Sequence, residues 1–71
     1  MKRVELIRLI GRAASEAELD WSLVREGSGH ELWELDGERV SVPRHREINE
    51  DTARGILKAL EVKLGTGWWR R

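Results

Sequence analysis

A glycine-bracketed turn that ends in a histidine, Gly27-Ser28-Gly29-His30, is the stretch of this sequence best suited to chemistry. Histidine is the side chain whose unperturbed pKa lies nearest neutrality, so it can take up and release protons near pH 7. Glycines beside it let a backbone, and hence a phosphate group, approach closely. His30 is therefore a candidate proton-transfer residue, although a histidine after a turn is more often a surface or hydrogen-bonding residue.

A second candidate lies next to the only proline, where His45 is flanked by Arg44 and Arg46. Guanidinium groups bind phosphate, and an imidazole between them could serve as a second proton-transfer group. Arg39 belongs to the same basic group of residues. A solvated basic turn would have the same composition, so both interpretations stay open.

Other catalytic chemistries are disfavoured by the composition. The chain has no cysteine, which excludes a disulfide framework, a thiolate nucleophile and cysteine-ligated zinc. The two histidines are fifteen positions apart and no His-x-x-x-His or paired-carboxylate spacing occurs, so we expect no metal site. Ser28 has no neighbouring base in a recognisable motif and is interpreted as a turn residue.

Size and charge indicate one small domain with no general attraction to nucleic acid. Thirteen basic residues balance thirteen acidic residues in a chain of 71. No apolar run approaches the roughly 20 residues that cross a bilayer, and the first residues are not typical of a signal peptide. We therefore expect a cytoplasmic protein without a membrane anchor.

Two amphipathic helices are predicted to flank the candidate residues. The first covers residues 3–14, and whether it continues into the acidic stretch that follows is open. The second begins after Asn49, a typical N-cap, and ends before Gly65, a typical C′ residue. Gly55 costs this helix about 1 kcal/mol relative to alanine. Either it permits close packing on the sheet, or the helix tolerates the loss.

Three strands are predicted between the helices, in residues 21–26, 31–35 and 38–42. In the first, a period of two is typical of a half-buried strand and places Trp21, Leu23 and Arg25 on one face. The glycine turn then reverses the chain. Asp36-Gly37 favours a type I′ hairpin, because both central positions of that turn need positive φ.

Pro43 ends the third strand because it cannot donate to the ladder. The order helix, three strands, helix predicts an α+β sandwich, in which a three-stranded antiparallel sheet has two helices on one face. The other face is free, and we expect a ligand to bind there, beside the histidine and arginine side chains at its rim.

The four tryptophans fall into two pairs. Trp21 and Trp33 are on strands and are interpreted as core or sheet-face packing, with stacking of Trp33 on a base as the less favoured alternative. Trp68 and Trp69 lie in a short C-terminal tail, residues 65–71, that follows a single domain in residues 1–64. This tail, Arg70 and Arg71 included, could fold back on the core, form an oligomer contact or bind a partner.

Three segments together resemble the HicA family of small mRNA interferase toxins. They are Gly27 to Trp33, Arg39 to Asn49, and Thr52 to Lys58, and the start of the chain and the first strand are also similar to the family pattern. The glycine turn combined with the Val-Pro-Arg-His-Arg-Glu-Ile run is specific, whereas neither alone would be. The resemblance implies a double-stranded-RNA-binding-domain-like α-β-β-β-α fold, in agreement with the element order above.

The resemblance also implies a function. Family members are toxin components of type II toxin-antitoxin systems and cut mRNA as metal-independent endoribonucleases, with no cofactor and with a HicB-like antitoxin as partner. The histidine of the glycine turn is their catalytic residue, and it corresponds to His30. The residues of the hypothesis are His30 for catalysis, His45 as a second proton-transfer group, Arg39, Arg44 and Arg46 for RNA phosphate, and Gly27, Ser28 and Gly29 as the supporting turn.

Two other functions stay open at this point. The same fold could serve as a non-catalytic RNA-binding module that uses the basic rim without cleavage. It could also be a protein-interaction domain whose exposed sheet and Trp-rich tail bind another chain.

Overall fold

The chain forms a helix, three strands and a second helical region, in a computed structural model that describes residues 1–70. The elements are α1 (Arg3–Glu16), β1 (Trp21–Glu26), β2 (His30–Leu35), β3 (Glu38–Pro43), α2 (Glu50–Ala59), α3 (Glu61–Leu64) and a 3₁₀ turn (Trp68–Arg70). The strands form one antiparallel sheet in the order β1-β2-β3, so the predicted α+β fold is confirmed. Arg71, which the prediction placed at the end of the tail, lies outside the described residues.

The core lies between the helices and one face of the sheet. Helix α1 contributes residues spaced by four along one stripe, and β3 contributes alternate residues, as the periods of helix and strand require. The buried apolar residues are Leu6, Ile10, Ala14, Leu35, Val40, Val42, Ile48, Ala53, Ile56, Leu57, Leu60 and Trp68. Both helices therefore cover the same face, and the side chains on the other face remain half-buried or exposed.

The helix ends follow local capping. Helix α1 continues to Glu16, two residues beyond the predicted core of the helix. The Asn49 side chain accepts a hydrogen bond from the Thr52 amide at 2.8 Å, which confirms it as the N-cap of α2. The predicted second helix is divided at Leu60, where a turn separates α2 from α3. Gly55 is exposed and a Cβ there would meet nothing within 4 Å, so the helix tolerates this glycine without using it for packing.

Strand β1 differs from its predicted pattern because it contains a β-bulge. Leu23 pairs with Trp33 and Arg25 pairs with Leu32, so Val24 is an extra residue on the β1 side. The prediction that Arg25 shares a face with Leu23 is therefore wrong. The strand is also an exposed edge instead of a half-buried strand, since only its first residue is partly buried.

The hairpin between β2 and β3 has the predicted turn. Asp36 has φ 46° and Gly37 has φ 91°, the two positive values that a type I′ turn needs. Strand β3 includes Pro43 as its last residue, one position later than predicted. Pro43 pairs with His30, which places the histidine at the first position of β2.

The C-terminal segment packs on the core as far as it is described. Trp68 is buried, and its Nε1 donates to the Leu57 carbonyl at 2.9 Å. The Trp69 ring meets Trp68 edge-on, with 6.0 Å between the ring centroids. Of the three alternatives for the tail, folding back on the core is the one seen for Trp68.

The other two tryptophans stack on each other. The ring centroids of Trp21 and Trp33 are 4.7 Å apart with an interplanar angle of 19°, and both rings pack against the core. Their interpretation as packing residues is confirmed. Within residues 1–70, no helix has the length and apolar character needed to cross a membrane.

Candidate functional site

The glycine turn is closed on itself and joined to the residue that follows β3. The Gly27 amide donates to the His30 carbonyl at 2.8 Å. Gly29 has φ 82°, a left-handed conformation in which a side chain would be strained. The Arg44 amide donates to the Gly29 carbonyl at 2.9 Å, and Arg44 Nη1 donates to the Gly27 carbonyl at 3.4 Å. Two hydrogen bonds from one arginine therefore fix the turn beside the end of the sheet.

His30 lies on the open face of the sheet. It is the first residue of β2 and is exposed, and the alternation of the strand places it with Leu32 and Glu34, away from the helices. Its carbonyl faces inward to the turn, where it accepts the Gly27 amide. An imidazole in this position can meet an extended polymer without a deep pocket.

A shallow groove with mostly basic walls begins next to the turn. It has a volume of about 380 Å³ and is lined by Lys2, Arg3, Val4, Arg44 and Arg46. The Arg3 amide donates to the Arg46 carbonyl at 2.9 Å, which brings the start of α1 against the segment after β3. Arg44 is common to this basic groove and to the glycine turn, so the two features are continuous.

A buried carboxylate lies directly behind the turn. Glu31 is 9% exposed and points to the helix side of β2, where it forms an ion pair with Arg3 and accepts a hydrogen bond from Trp33 Nε1 at 3.0 Å. Arg3 Nε also donates to the Pro43 carbonyl at 3.1 Å. This network connects α1 with both β2 and β3 at the level of His30.

The structure brings only some of the predicted site residues together. Arg44 contacts the turn that carries His30, and Arg46 lines the basic groove beside it. His45 is exposed in the bend between these arginines, two residues past the partner of His30. Chain geometry therefore limits the Cα atoms of the two histidines to a separation of about 13 Å or less.

Arg39 lies on the same face of the sheet but away from the turn. It pairs across the strands with Glu34, and its Nε contacts the Glu34 carboxylate at 3.0 Å. Four strand positions, or about 13 Å, separate it from the residue opposite His30. Its charge is thus offset by a neighbour, and it is not part of the basic groove.

Three residues of the site were absent from the sequence prediction: Lys2, Arg3 and Glu31. The sequence could have predicted the role of Glu31, because it alternates with Trp33 and Leu35 along β2 and so must face the core. A buried carboxylate needs a cation as its partner. The roles of Lys2 and Arg3 could not be predicted, because no local sequence feature shows that the chain start lies beside Arg46.

A comparison with protein-family models identifies the family. The model of the HicA toxin of bacterial toxin-antitoxin systems matches residues 16–62, which is well over half of the chain. The chain belongs to the HicA toxin family. Comparisons with curated proteins and with solved structures gave no match. HicA proteins are toxins of toxin-antitoxin systems, so this chain is a toxin with an antitoxin as its counterpart.

The HicA match covers one side of the site and not the other. It includes the glycine turn, His30 and the whole basic segment after β3. It does not include the first turn of α1 and the residue before it, which provide Lys2, Arg3 and Val4. These residues form one wall of the basic groove, and this wall therefore lies outside residues 16–62, the part of the chain that the family model matches.

Proposed function

We propose that this HicA toxin is a metal-independent endoribonuclease that cleaves mRNA, with His30 as its proton-transfer residue. The observation that supports this proposal most strongly is the anchoring of an exposed imidazole and a guanidinium on one four-residue turn. A proton-transfer group and a cation together can assist cleavage of a phosphodiester, the first by moving a proton and the second by stabilising developing charge.

The reaction is an internal transfer at phosphorus. The 2′-oxygen of the ribose attacks the adjacent phosphorus as its proton is removed, the bond from phosphorus to the 5′-oxygen breaks, and that oxygen takes up a proton. The products are a 2′,3′-cyclic phosphate and a 5′-hydroxyl. One proton leaves and one arrives, so the step balances with no oxidant, reductant or added nucleophile.

His30 performs one of the two proton transfers. A single ring cannot be base and acid in the same step, so the other transfer falls to His45 or to water. Arg44 uses its side chain for one hydrogen bond to the turn, which leaves most of its five N–H donors for the phosphate oxygens, where charge accumulates in the transition state. Arg46 adds a second cation close by.

The antitoxin partner is then a HicB-like protein, and covering His30 is the simplest way for it to block activity. The open face of the sheet supports this proposal, because nothing within the described residues shields the imidazole. The substrate, mRNA, would approach over the same face. The mRNA and the antitoxin would thus compete for the same surface of the toxin.

The experiment is incubation of the purified chain with mRNA in excess EDTA, in parallel with a His30→Ala variant and with an all-2′-deoxy oligonucleotide of one target sequence. We expect the parent to cut the RNA, the variant to leave it intact, and the deoxy strand to survive both because it lacks the nucleophile. RNA that is bound but never cut would favour the non-catalytic binding module. Cleavage that EDTA abolishes would contradict metal independence.

A further inference from the structure

We propose that the basic groove is a second phosphate subsite, which binds the RNA backbone next to the phosphodiester at His30. The choice of RNA as ligand rests on the proposed ribonuclease function. The new element is the contribution of the chain start: Lys2 and Arg3 form one wall of the groove, and neither was among the residues predicted to bind RNA.

Contacts within the protein itself hold the walls of the groove in place. The Arg3 amide donates to the Arg46 carbonyl, and Lys2 forms an isolated bridge with Glu47, so the two chain segments run side by side. The Arg3 guanidinium is oriented by the buried Glu31 carboxylate and by the Pro43 carbonyl. Cations whose positions are already set lose less conformational entropy when they bind an anion.

The charge of the groove is unbalanced, although the chain as a whole has no net charge. Glu31 offsets Arg3. Within residues 1–70, however, Lys2, Arg44 and Arg46 form no ion pair with a carboxylate. The groove is therefore a local concentration of positive charge that can attract a polyanion.

The shape of the site favours a nucleic-acid backbone over a single small anion. The cations extend from Arg44, beside the glycine turn, to Lys2 at the start of the chain, and Arg44 belongs to both the turn and the groove. A strand whose scissile phosphate lies at His30 would bring a neighbouring phosphate to the groove. The exposed Val4 side chain offers an apolar contact between the charges.

The test compares two double variants that remove the same charge from different places. The first double variant, Lys2→Ala with Arg46→Ala, removes two exposed cations from the groove. Arg8→Ala with Arg12→Ala removes two exposed cations of α1 that do not line it. Arg3 is left in place, because its loss would strand the buried Glu31. Both pairs are placed in the His30→Ala background, so the RNA stays intact.

The measurement is the dissociation constant of a labelled single-stranded RNA over a series of salt concentrations. Removal of one phosphate-binding cation lowers the slope of log K against log salt by about 0.7 for single-stranded RNA, so the groove variant is expected to show a slope smaller by about 1.4. The Arg8 and Arg12 variant is expected to keep the slope of the His30→Ala background. Equal slopes for the two double variants would overturn the proposal.

The same variants separate this inference from the proposed catalysis. A parent that fails to cut RNA, together with a groove variant that shows the predicted decrease in slope, would refute cleavage and support the subsite. A parent that cuts RNA, together with a groove variant that binds RNA as the control variant does, would support cleavage and refute the subsite. Poly-glutamate serves as a second probe: loss of its affinity with unchanged RNA affinity would assign the groove to an acidic protein and overturn the proposal.

Discussion

Arg44 is the residue at which the glycine turn and the basic groove meet. Its amide and its side chain each donate to a carbonyl of the turn, and the same side chain lines the groove. In the proposed mechanism Arg44 both supports the turn of His30 and binds the RNA phosphate, so we expect its loss to affect cleavage more than the loss of an exposed arginine elsewhere on the sheet.

We predict that Arg44→Ala lowers the rate of RNA cleavage by about a hundredfold, the typical effect of losing one donor to developing charge. Arg39→Ala is the matched control, because Arg39 lies on the same face but is paired with Glu34 away from the turn. Its rate is expected to stay within about threefold of the parent rate, since Arg39 lies about 13 Å along β3 from the residue opposite His30 and its charge is offset by Glu34. Single-turnover cleavage rates measure both, and equal losses would contradict the role given to Arg44.

The residue types of the sequence predicted local features and missed those that packing brings together. The turn and its histidine are adjacent in the chain, so their residue types made His30 a candidate, which the family resemblance then favoured. Arg3 and Arg46 are more than forty positions apart and meet only through tertiary structure. Arg39 was grouped with the other arginines by its place in the sequence, whereas its strand position separates it from them.

The ion pair of Glu31 and Arg3 connects α1 to the sheet. The carboxylate also accepts the Trp33 indole N–H, so one buried group serves two elements. It follows His30 directly in the chain but points to the opposite face. The start of β2 is thereby fixed from the core side while the imidazole stays open to solvent.

We predict that Glu31→Gln lowers the free energy of unfolding by about 2 kcal/mol, because it weakens hydrogen bonds to a charged, buried group. Glu34→Gln is the control, a substitution of the same kind on the open face of the same strand. It is expected to cost less than about 1 kcal/mol, as exposed pairs do. Urea denaturation measures both, and a larger loss for Glu34→Gln would argue against the proposed importance of the network.

The boundaries of the elements show where local signals are sufficient. Asn49 and Asp36-Gly37 act through their own side chains and backbone angles, and each was predicted correctly. The bulge at Val24 has no such signal, because the sequence continues to alternate while the partner strand sets the register. The break at Leu60 likewise falls within an uninterrupted apolar stripe.

The 3₁₀ turn at Trp68–Arg70, the last element described, completes a small core. Trp68 is 6% exposed and its indole N–H donates to the carbonyl of Leu57, so α2 and the chain end share one packed unit. A chain of this length has a total stability of only about 4–10 kcal/mol. One large buried side chain is therefore a considerable part of it.

We predict that Trp68→Ala lowers the free energy of unfolding by about 3–5 kcal/mol, the usual effect of truncating a buried aromatic residue. Trp69→Ala is expected to cost less than half as much, because Trp69 is only partly buried. Thermal and urea unfolding followed by circular dichroism compare the two. Similar losses from both would contradict the conclusion that Trp68 is the residue through which this turn stabilises the core.

The overall fold was accessible from sequence for a physical reason. Helical and strand periods, an N-cap and a type I′ turn are local features, and their order permits few ways to bury the apolar faces. The position of Trp68 was not accessible, because a tryptophan after two glycines is compatible with packing, with an oligomer contact and with a partner. Only the packing of α2 decides among them.

His30, as proposed above, transfers a proton in metal-free RNA cleavage. The most direct measurement is the single-turnover rate on one defined RNA in EDTA for the parent, His30→Ala and His45→Ala, each shown to be folded. We predict a loss of at least about a hundredfold for His30→Ala and a smaller loss for His45→Ala, as expected when a principal acid/base group is removed. Undiminished cleavage by His30→Ala would contradict the proposed role of His30.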